Sequence, residues 1–180
     1  MSALLQPCAA AEASSQVHCT RSQDAQYWPL TPARTVSVWL AFWDSDEGNG
    51  AMRVVKGSHK LGELRHHAND AENYVLNQEA DEDQIDEEKI VSMNLRAGFC
   101  SLHDDGLLHG SLPNESDDRV RCGLVMRYCP TEVKCDLGTW PTYESMIARG
   151  VDHFRHNPEG TPPTLEAVPP KMFPSTSEFE

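Results

Sequence analysis

The sequence predicts a mainly β fold, either a sandwich or a closed barrel, and three observations carry that expectation. Short runs rich in β-branched and aromatic residues recur along the chain. Glycine, asparagine and aspartate turns separate them, and little helix-period patterning intervenes. A chain of 180 residues with 39% hydrophobic content suits one domain with a single core.

The elements follow in order. Residues 1–21 are rich in alanine and serine and show little periodicity. They lack the basic start and continuous apolar core of a signal peptide, and are expected to be disordered or foreign to the domain. Residues 23–32 should be extended, because Pro29 and Pro32 oppose a helix. Residues 35–43 (Thr-Val-Ser-Val-Trp-Leu-Ala-Phe-Trp) read as a strand buried on at least one face. A polar turn at 44–49 leads to a second strand at 51–55, which a tight turn at 56–60 ends. Residues 61–76 read as a polar loop in which His66 and His67 are solvated. Further strands are expected at 89–95, 99–103, 107–111 and 121–128, and a short helix at 143–149. The domain body is 22–156, and 157–180 is a proline-rich irregular tail.

Composition excludes several functions. A net charge of −13 offers no basic face to a nucleic acid or an anionic membrane. Residues 79–88 carry seven of the acids and read as a solvated, mobile loop. No apolar run approaches the roughly 18 residues of a transmembrane helix. The six cysteines form no Cys-x-x-Cys pair, and Cys100, Cys122 and Cys129 lie in apolar runs. Reduced, buried thiols in a cytoplasmic-type compartment are expected. Phosphate-cradling glycine loops, a nucleophile elbow and a convincing Cys/His dyad are all missing.

The chemistry-bearing residues gather in 102–128. On a strand, residues i and i+2 face one side, so a His-x-Asp pair and a distant histidine can form a facial triad suited to Fe(II) and O₂. The literal example here is His103 and Asp105, with His109 close behind. A competing reading makes Asp104-Asp105-Gly106 a hairpin turn, which accounts for both acids without a metal. Arg119, Arg121 and Arg127 follow. Arg121 and Arg127 share parity on a regular strand, and an inward arginine in a barrel needs an anionic partner such as a small dicarboxylate. Arg119 and Arg127 read more simply as surface charges paired with Asp117 and Asp118.

Several segments, in order, resemble the phytanoyl-CoA dioxygenase family of Fe(II)/2-oxoglutarate oxygenases. They are Gln23-Asp24-Ala25-Gln26-Tyr27-Trp28-Pro29-Leu30, the strand at 35–43, the Gly-Ala-Met-Arg-Val-Val-Lys-Gly-Ser-His-Lys run at 50–60, and His109-Gly110-Ser111…Asn114…Arg121-Cys122-Gly123-Leu124. The resemblance implies a double-stranded β-helix (jelly roll). It implies an enzyme that hydroxylates a small or lipid-like organic substrate, using Fe(II), 2-oxoglutarate and O₂ and releasing succinate and CO₂. It makes Asp24 the carboxylate metal ligand and His109 the distal histidine. Arg121 would bind the 2-oxoglutarate carboxylate, with Ser111 and Trp39 nearby, and His103 would not be the first metal histidine. No nucleic acid, transmembrane segment or protein partner is implied.

One departure is sharp. The family places a histidine two residues before the aspartate, and here that position is Ser22. A hydroxyl is a poor Fe(II) ligand beside imidazole. The expectation is a truncated or mis-joined chain, its homology starting at Gln23 and its jelly roll incomplete at the N-terminus. Two functions follow: an oxygenase, or a catalytically disabled jelly-roll binding protein.

Overall fold

The β4 strand, Val36–Ala41, shows how the sequence builds the fold. Its side chains alternate between the two faces, so Ser37, Trp39 and Ala41 are buried while Val36, Val38 and Leu40 are half-buried on the other face. The computed structural model describes residues 2–5, 19–68 and 78–161. Before β4 come β1 (Ser2–Leu5), β2 (Cys19–Ser22) and β3 (Leu30–Thr31). After it come β5 (Met52–Val55), β6 (His66–Ala68), β7 (Gln78–Ala80), β8 (Ile90–Ser92) and β9 (Cys100–Asp104). The last are β10 (His109–Ser111), β11 (Gly123–Cys129), β12 (Lys134–Cys135) and β13 (Met146–Ile147).

Two antiparallel sheets dominate. The larger has the order β13-β1-β11-β4-β9 and the smaller β2-β10-β5-β8. The chain passes between them repeatedly: β2 to β4, β4 to β5, β8 to β9, β9 to β10, β10 to β11. This alternation is that of a jelly roll, and the mainly β expectation holds. Core clusters close it on two sides. One joins Leu30, Cys129, Val133, Cys135 and Tyr143, with Trp28 and Trp140 against it. The other joins Val55, Leu64, Ala80 and Leu108. One glycine is required by packing. A Cβ on Gly123 would meet Trp39 Cζ2 at 2.6 Å and the Leu40 carbonyl oxygen at 2.7 Å, so its absence lets the Trp39 ring lie against β11.

The strands expected at 35–43, 51–55, 89–95, 99–103, 107–111 and 121–128 appear as β4, β5, β8, β9, β10 and β11. Other expectations need correction. Within 1–21, Ser2–Leu5 pairs with β11 and Cys19–Ser22 with β10, so sheet pairing orders backbone that composition left unpatterned; 6–18 lie outside the described residues. Residues 23–32 are not wholly extended: Asp24–Tyr27 makes one 3₁₀ turn before Pro29. The helix expected at 143–149 is an extended segment holding β13, which pairs with β1. Within 61–76, His66–Ala68 forms a strand against β7, while 69–77 lie outside the described residues. Of the tail, 157–161 are tied down through Asn157, which accepts from the Cys135 amide and donates to the Val133 carbonyl; 162–180 are not described. Cys129 and Cys135 are buried free thiols, but Cys100 is exposed, because its parity on β9 points it away from the barrel interior.

Candidate active site

The two sheets meet over one row of the larger sheet. Cross-strand register sets Arg127 of β11 opposite Ser37 of β4, and Ser37 opposite His103 of β9. Directly opposed residues on neighbouring strands face the same side, so all three side chains point inward. From the smaller sheet, His109 of β10 stands opposite Ser22 of β2. Asp24 follows β2 and drops between the sheets, where its Oδ2 accepts a 2.7 Å hydrogen bond from the Ser37 hydroxyl.

Asp24, His103 and His109 thereby share a corner in which one ligand atom from each lies within 4.8 Å of the others. His103 Nε2 faces Asp24 Oδ2 at 3.6 Å and His109 Nε2 faces Oδ1 at 3.9 Å. The two imidazole rings are 4.9 Å apart. Arg127 brings a guanidinium 3.7 Å from Asp24 Oδ1 and stacks on Trp28 at 4.7 Å. Burial alone would raise the Asp24 pKa. His103, His109, Arg127 and the Ser37 hydroxyl together outweigh it and hold the carboxyl well below its ordinary range. Burial pushes His109 down, toward the neutral imidazole that can donate a lone pair. His109 Nδ1 lies 2.9 Å from the Leu107 carbonyl, a contact that as an N–H donor leaves Nε2 free toward Asp24.

A second cluster sits at the other end of β11. Arg121 donates to the Ser111 hydroxyl at 3.3 Å and lies over the buried Trp39 ring at 5.3 Å. Arg121 and Arg127 thus each lie against a tryptophan of their own. A small pocket of about 130 Å³ adjoins β10, lined by residues that include His109, Ser111, Arg53 and Arg21.

The loop carrying Asp24 is clamped through its neighbour. The Gln23 side chain donates to the carbonyls of Gly62 and Gly106 at 2.9 and 2.7 Å and accepts from the Leu64 amide at 2.8 Å. The Gln23 amide donates to His66 Nε2 at 3.3 Å, so His66 is a structural partner and not the solvated residue expected.

Of the expected site residues, the fold brings Asp24 to His109, and Arg121 to Ser111 and Trp39. It parts from expectation over His103, which is buried and aimed at Asp24. The acids beside His103 do serve the chain turn. Asp104 accepts from the Gly106 amide, and Asp105 accepts from the Thr35 amide and hydroxyl, so a site of His103, Asp105 and His109 does not form. That turn is no hairpin, since β9 and β10 belong to different sheets. Arg127 is an interior residue beside Asp24, and Arg119 pairs with Asp46 in place of Asp117 or Asp118. The acidic segment is also structured. Asp81 and Asp83 hold Arg65, Asp81 meets His67, and Glu87 holds Arg21. Sequence reasoning missed Ser37, His103, Arg127 and Trp28 as one constellation. The register that aligns His103 and Ser37 with Arg127 is set by tertiary pairing, which no local pattern carries.

Comparison with known proteins agrees with this architecture. The family description "Phytanoyl-CoA dioxygenase (PhyH)" matches residues 6–122, beginning upstream of Gln23. A phytanoyl-CoA dioxygenase domain-containing protein 1 homolog of Dictyostelium discoideum is 31% identical over 97 residues, 52% of this chain and 34% of the relative. A probable alpha-ketoglutarate-dependent hypophosphite dioxygenase of Stutzerimonas stutzeri is 27% identical over 133 residues, 71% of this chain and 46% of the relative. Among solved structures, the non-heme monooxygenase ThoJ in its apo form is 30% identical with a TM-score of 0.67, covering 89% of this chain and 55% of that one. Its nickel complex matches with a TM-score of 0.61 at 26% identity, covering 90% of this chain and 54% of that one. The chain thus spans about half or less of the length of these relatives. Among the described residues, no helix is long and apolar enough to cross a membrane. With the family match covering residues 6–122, more than half of this chain, and the jelly roll in place, the chain belongs to the phytanoyl-CoA dioxygenase family of iron- and 2-oxoglutarate-dependent oxygenases.

Proposed function

We propose that this chain carries the centre of an Fe(II)/2-oxoglutarate-dependent dioxygenase that hydroxylates a small or lipid-like organic substrate. The observation that carries the reading is the buried Asp24–His109 pair at 3.9 Å, on the same barrel interior as the Arg121–Ser111–Trp39 cluster. A carboxylate with imidazole is a donor set that suits Fe(II) and leaves open positions.

Asp24 and His109 are assigned as metal ligands. Asp24 stays ionised through its charged neighbours, and Ser37 fixes its orientation through Oδ2. Burial lowers the His109 pKa, which favours the neutral imidazole, and the Leu107 carbonyl orients the ring. Arg121 is assigned to the distal carboxylate of 2-oxoglutarate, because its planar fork matches a carboxylate in a bidentate pair. Ser111 holds the guanidinium in place, and Trp39 forms the wall beneath it. When bound, iron supplies the O₂ chemistry that couples conversion of 2-oxoglutarate to succinate and CO₂ with insertion of one oxygen atom into a substrate C–H bond. The chain's own residues would hold the co-substrate at its distal carboxylate, through Arg121, and present Asp24 and His109 to the metal.

The test is succinate formation by the full chain with Fe(II), 2-oxoglutarate and O₂. Turnover, lost in Arg121→Ala, supports the assignment. The second reading rests on Ser22, which is buried and registers with His109 where the family has its first metal histidine. A silent native chain that gains turnover as Ser22→His would make it a disabled barrel and overturn the proposal.

A further inference from the structure

We infer that His103 takes the place of the absent histidine at position 22, so that the metal ligands of this chain are Asp24, His103 and His109. The inference rests on the reading of Asp24 and His109 as ligands and adds a donor from a different strand and the opposite sheet.

Four observations support it. First, Ser22 registers with His109, so its side chain shares His109's inward face but ends in a hydroxyl, a poor donor to a divalent metal beside imidazole. Second, His103 reaches the same corner from β9, with Nε2 3.6 Å from Asp24 Oδ2. Third, the distances suit a shared ion better than direct bonding. At 3.6 and 3.9 Å the imidazole nitrogens are too far from the carboxylate for hydrogen bonds, and all three donors lie within 4.8 Å of one another. Imidazole ligands to a divalent metal sit at about 2.0–2.1 Å, so an ion among these donors requires only a small contraction. Fourth, His103 is buried, and its Nε2 is the ring nitrogen turned toward Asp24, so the imidazole is held with a donor atom aimed into the corner.

Two imidazoles and one carboxylate restore a facial triad. The topology differs from the His-x-Asp arrangement, because one imidazole arrives from the larger sheet and bridges the two sheets through the ion. Metal binding should therefore tie β9 to β10 and stiffen the barrel as well as prepare it for chemistry.

The experiment is Co(II) titration of the full chain, followed by calorimetry, visible absorption and proton NMR under argon. The native chain should bind one Co(II) and show two hyperfine-shifted, exchangeable imidazole N–H signals. His103→Gln, which keeps a similar volume, should lose one of those signals and weaken binding at least tenfold. Ser22→His added to His103→Gln should recover the second signal and the affinity, a rescue that a purely structural role for His103 would not give. Native-like affinity and two imidazole signals in His103→Gln would overturn the inference, as would a single signal in the native chain. Adding 2-oxoglutarate separates the two ideas. A Co(II) spectrum that depends on His103 but ignores 2-oxoglutarate retains this ligand set and rejects the co-substrate assignment. A spectrum that responds to 2-oxoglutarate in both native chain and His103→Gln, at equal metal affinity, does the reverse.

Discussion

The Asp24 corner and the acidic segment at 78–89 use charge in opposite ways. The acidic segment carries seven acids within 79–88, spread over the surface and met by Arg65, His67, Lys89 and Arg21. The corner has one acid, buried, with two imidazoles and a guanidinium within 4 Å. Exposed pairs are solvated and screened, so each contributes little whatever their number. A buried carboxylate among cations is costly to place and consequential to remove. The number of acids therefore says little about where the chemistry lies, while one aspartate between two sheets says a great deal.

The largest break in this comparison is Asp24→Ala. It should abolish Co(II) binding by calorimetry, whereas Asp81→Asn, Asp83→Asn and Asp86→Asn together should leave the affinity within about twofold, since exposed acids act weakly on a distant site. Metal binding that followed the surface acids would collapse the distinction. Next comes Trp39→Ala, which empties a buried site beneath Arg121 and should cost about 3–5 kcal/mol in urea unfolding. A loss under about 1 kcal/mol would mean that Trp39 is not part of a packed wall. Gln23→Ala removes the clamp on the Asp24 loop and strands the groups it serves on Gly62, Gly106 and Leu64. With several buried groups left unsatisfied, about 2–4 kcal/mol of stability should be lost, with metal affinity falling in parallel. The smallest effect belongs to Arg65→Ala. Arg65 and Asp83 are exposed and Asp81 is half-buried at the surface, and the melting temperature should not move measurably. A clear drop would show that the acidic segment is held more tightly than exposed pairing allows.

Much of the fold was legible in the sequence because β4, β5, β9 and β11 are long or apolar enough to carry period-2 patterns. The strands that escaped, such as β1, β2, β6 and β13, span only two to four residues and owe their existence to partners elsewhere in the chain. The short helix expected at 143–149 failed for the same reason, since pairing with β1 overrode local propensity. Part of the candidate site is legible too: the sequence singles out Asp24, His109, Arg121, Ser111 and Trp39, and the structure brings Asp24 to His109 and Arg121 to Ser111 and Trp39. The family resemblance gives His103 no ligand role, and its neighbours Asp104 and Asp105 read as a turn, which they do make. The turn accounted for the acids and not for the histidine. Arg127 reads as a surface charge from sequence because its inward neighbours, Trp28 and Asp24, lie about a hundred residues away along the chain.

The central claim, that the corner between the sheets is a metal and 2-oxoglutarate site, meets its most direct test in a single anaerobic spectrum. Fe(II) is added to the full native chain under argon, followed by 2-oxoglutarate. Chelation of the co-substrate to iron at Asp24 and His109 should produce a visible charge-transfer band that is lost in Asp24→Ala and His109→Ala and weakened in Arg121→Ala. A mixture that stays colourless at saturating iron and 2-oxoglutarate, or a band indifferent to Asp24 and His109, would contradict the account.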